Sequence, residues 1–382
     1  MKKIPVAILG ATGAVGQWFI RLLEEHPWFS VEHLMASERS SGRPYGEVVH
    51  WLASQPLRHD IAAKVVQSCM PARECPLVFS ALDASVAEEI ELAYAEKGAV
   101  VVSNARNYRM HPQVPLLVGE VNADHIGLAL QQSFGLGRIL TNPNCSVVGL
   151  VLALQPIFAQ FGLEEVHTVT MQAVSGAGYP GIASVDIIDN VIPYIHGEEE
   201  KLVTEPLKIL GVFSEGKIFP AHFILSAQCH RVPVSDGHVL AVKVRLSESA
   251  EVGDLVRAWE MFRGEPQRLR LPTAPLSPIH YFSETSAPQP KLHRYLDKGM
   301  GVSVGRLKQL TSRDFSFVVL SHNMVRGAAG AALLNAELLV RQRPEWFGTD
   351  FALSLTSELG GQYEESKNGI PSKNPGCSGS CP

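Results

Sequence analysis

A short apolar strand, Val6-Ala7-Ile8-Leu9, runs without a spacer into Gly10-Ala11-Thr12-Gly13-Ala14-Val15-Gly16, and this junction restricts the start of the chain to few folds. Trp18, Phe19, Leu22 and Leu23 then recur at helical spacing, so strand, glycine turn and helix follow in succession. The glycines permit a tight turn and close backbone approach, and a helix N-terminus placed there receives a pyrophosphate. The spacing is GxxGxxG, a variant of the GxGxxG fingerprint; alone it fits either a nucleotide site or a structural turn. Val31–Ala36 reads as the second strand, ending in Ser37-Glu38-Arg39-Ser40-Ser41-Gly42-Arg43. Such a loop sits beside the adenine ribose, where an acid favours the 2′-hydroxyl and an arginine accommodates a 2′-phosphate. Ser37, Arg39 and Ser40 suit the phosphate of NADP, Glu38 would suit NAD, and a solvated polar turn is the plainer alternative. Leu77–Ser80, a helix over 84–97 and a strand over 99–102 continue the alternation, which predicts a doubly wound parallel sheet. The polar loop Ser103–Met110 follows a strand end, where ligands gather, so its arginines are candidate anion clamps or surface ion-pair partners.

The second informative stretch is Thr141-Asn142-Pro143-Asn144-Cys145-Ser146. Asn-Pro-Asn is turn chemistry and Val147–Phe158 has helical spacing, so Cys145 falls at a loop-to-helix junction. Unpaired N–H groups and the positive end of the helix dipole favour an anion there, and a thiol pKa drawn from ~8.5 into the ~3.5–7.5 range is expected. The plainer reading of an isolated cysteine is a small buried hydrophobe. Beyond it the pattern changes to longer apparent strands, Glu165–Gln172, Ile218–Gln228, Val239–Leu246 and Phe315–Leu320, predicting a second domain with a mostly antiparallel sheet. The small-residue helix Arg326–Leu339 suits close packing against the first domain. We therefore expect a dinucleotide domain over 1–143, a catalytic and dimerisation domain over 144–324, a returning helix over 325–361 and a disordered tail over 362–382.

Composition removes other classes. A content of 46% hydrophobic and 19% charged residues over 382 residues excludes wholesale disorder. A net charge of -5 without a Lys/Arg cluster argues against nucleic acid. No signal-peptide core or run of about 18 apolar residues occurs, so no membrane partner and a cytoplasmic location are expected. The six cysteines lack framework or CxxC spacing, and Cys377 and Cys381 have no companions to complete a metal site.

Together GATGAVG, ASERSSGR, SNARNYRM, NPNCS, MQAVSGAGYPG, DNVIPYIHGEEEK, HRVPVSDGH and NMVRGAAG make the chain resemble the aspartate-semialdehyde dehydrogenase family, in its archaeal and fungal branch, from Ile4 to about Leu339. The resemblance implies a Rossmann-type domain joined to an α+β catalytic and dimerisation domain, like glyceraldehyde-3-phosphate dehydrogenase. It implies NADPH-dependent reduction of L-aspartyl 4-phosphate to the semialdehyde with release of phosphate. In this reading Cys145 is the nucleophile that forms a thioester and His238 the acid/base, its ordinary pKa near ~6.5 suited to both tasks. Arg231 would hold the α-carboxylate, Glu198 the ammonium, and Lys201 and Arg109 the phosphate, with Asn144 and Gln172 positioning the reacting group. Gly10, Thr12, Gly13, Ala14, Val15, Gly16, Ser37, Arg39 and Ser40 would hold the cofactor, and Ser175, Gly176 and Asn323 would approach its nicotinamide. The family implies a homodimer or homotetramer. Val118-Gly119-Glu120 departs from it where many relatives have a proline before the glutamate. The alternatives are N-acetyl-γ-glutamyl-phosphate reductase, whose substrate has no ammonium for Glu198, glyceraldehyde-3-phosphate dehydrogenase, and a catalytically silent nucleotide-binding module.

Overall fold

The computed structural model describes residues 3–71 and 75–347. The first sheet contains β1 (Ile4–Leu9), β2 (Phe29–Ala36), β3 (Gln67–Ser68), β4 (Leu77–Ser80), β5 (Val100–Ser103) and β6 (Arg138–Thr141), all parallel in the order β3-β2-β1-β4-β5-β6. The direction of winding reverses between β1 and β4, which opens a crevice beyond their C-terminal ends. β4 and β5 are buried along their whole length, as expected of parallel strands covered on both faces. The helix Ala14–Leu23 packs Phe19 on Phe79 of β4 with centroids 4.8 Å apart. The helix Ala84–Glu96 starts at Asp83, whose carboxylate accepts the Ser85 N–H.

The second sheet contains β7 (Glu165–Gln172), then, past the small hairpin β8 (Val212–Ser214) and β9 (Lys217–Phe219), β10 (Ile224–Arg231), β11 (His238–Arg245), β12 (Ile279–Phe282), β13 (Val302–Gln309) and β14 (Asp314–Ser321). Its order is β10-β7-β11-β14-β13-β12. The sheet is mixed: β10 runs parallel to β7 and β12 to β13, while the three central pairings are antiparallel. The single strand expected over Ile218–Gln228 is two strands, interrupted from Pro220 to Phe223; proline has no N–H for a ladder. The helices Cys145–Phe161 and Val252–Met261 cover one face, with Trp259 at the centre donating its indole N–H to the Ala153 carbonyl.

The expected small-residue helix begins as a π-helical turn, Val325–Ala329, and continues as Gly330–Gln342. It is buried on every side up to Val340 and shares one apolar core with β1, β4, β5 and the helix Ala14–Leu23. Two polar ties hold it. Arg326 pairs with Glu120 at 2.6 Å, with both side chains almost fully buried. Asn335 accepts the Gly119 N–H at 3.2 Å and donates to Leu117 and Asn142. The departure at Gly119 thus has a use, because a proline there would have no N–H to donate. The expectations for residues 348–382, including the tail and its two cysteines, lie outside the described residues.

Removing one partner of a buried pair leaves the other charge uncompensated. Glu120→Ala should cost about 3–5 kcal/mol, read as a lower denaturation midpoint; an unchanged midpoint would mean that Arg326 finds another anion.

Candidate active site

Cys145 is the first residue of the helix Cys145–Phe161, and Asn144 caps that helix by accepting the Ser146 N–H at 2.9 Å. Asn144 is held on two further sides. Its side-chain Nδ2 donates to Glu198 Oε2 at 2.8 Å, and its backbone N–H donates to Glu205 Oε2 at 2.6 Å. Both carboxylates project from the helix Glu198–Ile209, which begins after Gly197 in the left-handed conformation. Glu198 also accepts from Gln172 Nε2 at 3.1 Å and pairs through Oε1 with Lys201 at 2.7 Å. Burial would raise the Glu198 pKa, but the Lys201 charge and the hydrogen bonds from Lys201, Asn144 and Gln172 outweigh it and hold the carboxyl below its ordinary value.

The Cys145 sulfur lies 3.2 Å from His238 Nε2. His238 stands at the start of β11, fully buried, with Nδ1 accepting the Ala173 N–H at 3.0 Å. A nitrogen that accepts a backbone N–H carries no proton, so the hydrogen-bond network assigns the neutral ring's proton to Nε2, facing the sulfur. In this tautomer Nε2–H points at the sulfur as a donor. An imidazolium would set Nδ1–H against Ala173 N–H, and burial, reinforced by Arg231, pushes the His238 pKa down to about 3. At Cys145 the shift runs opposite to the lowering expected of a cysteine at a helix start. Burial, with Glu198 nearby, raises Cys145 to about 12, against the opposing charges of Arg109, Arg231 and Lys201. Desolvation of the sulfur outweighs the three neighbouring cations.

Arg231, at the end of β10, donates Nη1 to the Ala173 carbonyl at 2.8 Å, and a side chain on Gly176 would lie 2.7 Å from that nitrogen. Arg109 donates to Glu205 Oε1 and to the Asn104 carbonyl, each at 2.8 Å. Asn323 accepts the Gly237 N–H and donates to Ser175 Oγ, so its amide joins two loops of the site.

These groups border a cleft of about 810 Å³ between the sheets. Its wall brings together Gly13, Ala14, Val15, Arg109, Asn144, Cys145, Ser175, Gly176, Glu198, Lys201 and Asn323. Gln172, Arg231 and His238 are buried beside Cys145. Gly10 and Thr12 lie in the turn after β1, and Gly16 lies in the first turn of the helix Ala14–Leu23. Ser37, Arg39 and Ser40 stand apart at the end of β2, with Arg39 exposed. A dinucleotide fits the turn: Gly10 has φ +72, a Cβ on it would lie 2.6 Å from the Ala81 carbonyl oxygen, and Gly13 caps its helix without a side-chain acceptor. The first N–H groups of that helix therefore remain available to a phosphate. Glu205 and Lys208 escaped the sequence reading. Their signal was present, since they lie seven residues beyond Glu198 and Lys201 on the same helical stripe.

A family model described as "Semialdehyde dehydrogenase, NAD binding domain" matches residues 5–129, and one described as "Semialdehyde dehydrogenase, dimerisation domain" matches 154–326. The chain is 46% identical over 343 residues to the aspartate-semialdehyde dehydrogenase of Methanothermobacter thermautotrophicus, covering 88% of this chain and 99% of the relative. It is 43% identical over 349 residues to that of Schizosaccharomyces pombe, covering 88% and 98%. The crystal structure of the Candida albicans aspartate semialdehyde dehydrogenase with NADP superimposes with a TM-score of 0.81 at 41% identity, covering 88% of this chain and 98% of that one. Among the described residues no helix is long and apolar enough to cross a membrane.

Two outcomes follow from the protonation states. Iodoacetamide labelling of Cys145 in the free protein should rise about tenfold per pH unit between pH 6 and 10; a plateau by pH 8 would mean that the thiolate is already formed. His238 has a folded pKa below its unfolded value of 6.5, so the unfolded state binds the extra proton and stability falls as pH drops through 6.5 toward 3. In His238→Gln this acid limb should be shallower by up to about 1.4 kcal/mol per pH unit, measured by urea titrations at several pH values; an unchanged limb would mean that His238 stays protonated in the fold.

Proposed function

The chain belongs to the aspartate-semialdehyde dehydrogenase family, and we propose that its cleft reduces L-aspartyl 4-phosphate to L-aspartate 4-semialdehyde with NADPH, releasing phosphate. The observation that carries this reading is the 3.2 Å Cys145–His238 contact ringed by one carboxylate and three cations of opposite purpose. Glu198 meets the substrate ammonium, the free donors of Arg231 take the α-carboxylate, and Lys201 and Arg109 take the phosphate. Held this way, the acyl carbon is presented to Cys145 with little orientational freedom left.

Cys145 attacks that carbon. The C–S bond forms as the C–O bond to phosphate breaks, and the thiol proton leaves on the phosphate, so no protonated histidine is required. His238 Nε2–H and the helix N-terminus donate to the negative charge that develops on the substrate oxygen. Bound NADPH supplies the hydride that reduces the thioester. His238 then stabilises the oxyanion of the thiohemiacetal on Cys145, which collapses to aldehyde and a Cys145 thiolate that takes a proton from solvent to restore the thiol. Asn144 and Gln172 steady the Glu198 carboxylate through both steps. The GATGAVG turn and the loop Ser37–Ser40 are assigned to pyrophosphate and ribose phosphate, and Ser175 and Gly176 to the nicotinamide side.

The assembly we propose is a homodimer, or a tetramer built from such dimers, joined through the uncovered face of the second sheet. His167, Val169, Ala241, Lys243 and Val318 lie on a groove of about 710 Å³ on that face, and a dimerisation-domain profile spans it. Six cysteines without framework or CxxC spacing support a reducing, cytoplasmic setting. An N-acetylated substrate would bring no cation to Glu198, and the relatives named above favour the aspartyl substrate.

The reaction is tested in reverse with L-aspartate semialdehyde, phosphate and NADP. NADPH should form only when phosphate is present, fail to form from N-acetylglutamate semialdehyde, and fall to background in Cys145→Ala. Equal turnover of both aldehydes, or turnover by the variant, would refute the assignment.

A further inference from the structure

Four charged residues lie along one stripe of the helix Glu198–Ile209: Glu198, Lys201, Glu205 and Lys208. The mechanism uses the first two. Glu205 is 2% exposed, and its two oxygens accept from opposite parts of the site, Arg109 Nη1 at 2.8 Å and the Asn144 N–H at 2.6 Å. We propose that Glu205 is a positioning residue for the reaction, one carboxylate that sets the anion-binding guanidinium of Arg109 and the cap of the nucleophile's helix against each other. The inference rests on the reading of Arg109 as a phosphate ligand.

Three features of the geometry support it. The Asn144 N–H lies upstream of the helix and is buried, so without Glu205 it is a buried donor lacking an acceptor, a costly arrangement. Asn144 also has its Oδ1 on Ser146 and its Nδ2 on Glu198. The Glu205 bond completes a three-point grip on the residue immediately before Cys145.

The second feature is that the Arg109 loop does not need Glu205 for its course. Lys208 Nζ donates to the carbonyls of Arg109, His111 and Val114 at 2.7, 2.9 and 2.8 Å. Loss of Glu205 therefore releases a guanidinium, not a loop. The third is that Arg109 Nε has no protein partner although it is buried, and Arg109 lines the cleft. With Nη1 and Nη2 committed to Glu205 and Asn104, the orientation of the plane, and so of the remaining donors, is set by those two bonds.

A carboxylate is required because both neighbours are donors. Glutamine would turn its own NH₂ toward one of them, and aspartate, shorter by one methylene, would reach one at the expense of the other. The test compares wild type, Glu205→Gln and Glu205→Asp in the phosphate-consuming direction, with separate KM values for phosphate, aldehyde and NADP, and with the rate of iodoacetamide labelling of Cys145. Glu205→Gln should raise the phosphate KM about tenfold or more, leave the NADP KM within about twofold, and change Cys145 labelling at least about threefold. Glu205→Asp should fall between, and it is read by the same criteria if the glutamine variant does not fold. A folded variant with wild-type phosphate KM and labelling, or with all three KM values raised alike, overturns the proposal. If wild-type turnover does not depend on phosphate, the reading of the reaction itself falls, and that outcome is distinct.

Discussion

Asn144 is pinned between two carboxylates that stand seven residues apart on one helix, and the site is built outward from that grip. Glu198 and Glu205 face the same way because that interval is close to two turns. One takes the asparagine amide and the other its backbone N–H, so the start of the nucleophile's helix cannot rotate without leaving buried donors unpaired. Through the same two side chains the helix Glu198–Ile209 reaches Gln172 and Arg109. A single helix thus coordinates the sheet edge, the loop after β5 and the helix that begins with Cys145.

The second consequence is electrostatic. Burial shifts both Cys145 and His238 toward their neutral forms, while Glu198 is paired with Lys201 and Glu205 with Arg109. Such a site holds its electric field in preorganised donors and cations and not in a standing thiolate. In the reaction proposed above, the acyl phosphate is already activated and carries away the proton of its attacker. It also places the histidine as a donor, because Ala173 N–H occupies the other ring nitrogen.

Much of the fold was legible along the chain. Leu77–Ser80 and Glu165–Gln172 were read to the residue, since each is a run of β-formers bounded by turn or polar residues. The break at Pro220 was missed because the flanking apolar alternation reads through it. The short β3 and the strands β12 and β13 were missed because their burial comes from neighbours remote in sequence and not from their own periodicity. Several residues named from dense polar motifs share one cleft wall, while Glu205 and Lys208 were overlooked at the far end of a helix whose start had drawn attention.

The sequence by itself determined the order of elements, the glycine turn, the cysteine at a helix start and the set of charged residues, because those follow from local periodicity, turn chemistry and residue type. Only the tertiary structure decided the protonation of that set. Desolvation depends on what packs around a group from every direction, and a tautomer depends on one backbone N–H sixty-five residues away. Neither property is carried by spacing along the chain. Which donors each of the two carboxylates accepts was decided in the same way, by what the folded chain brings to each oxygen.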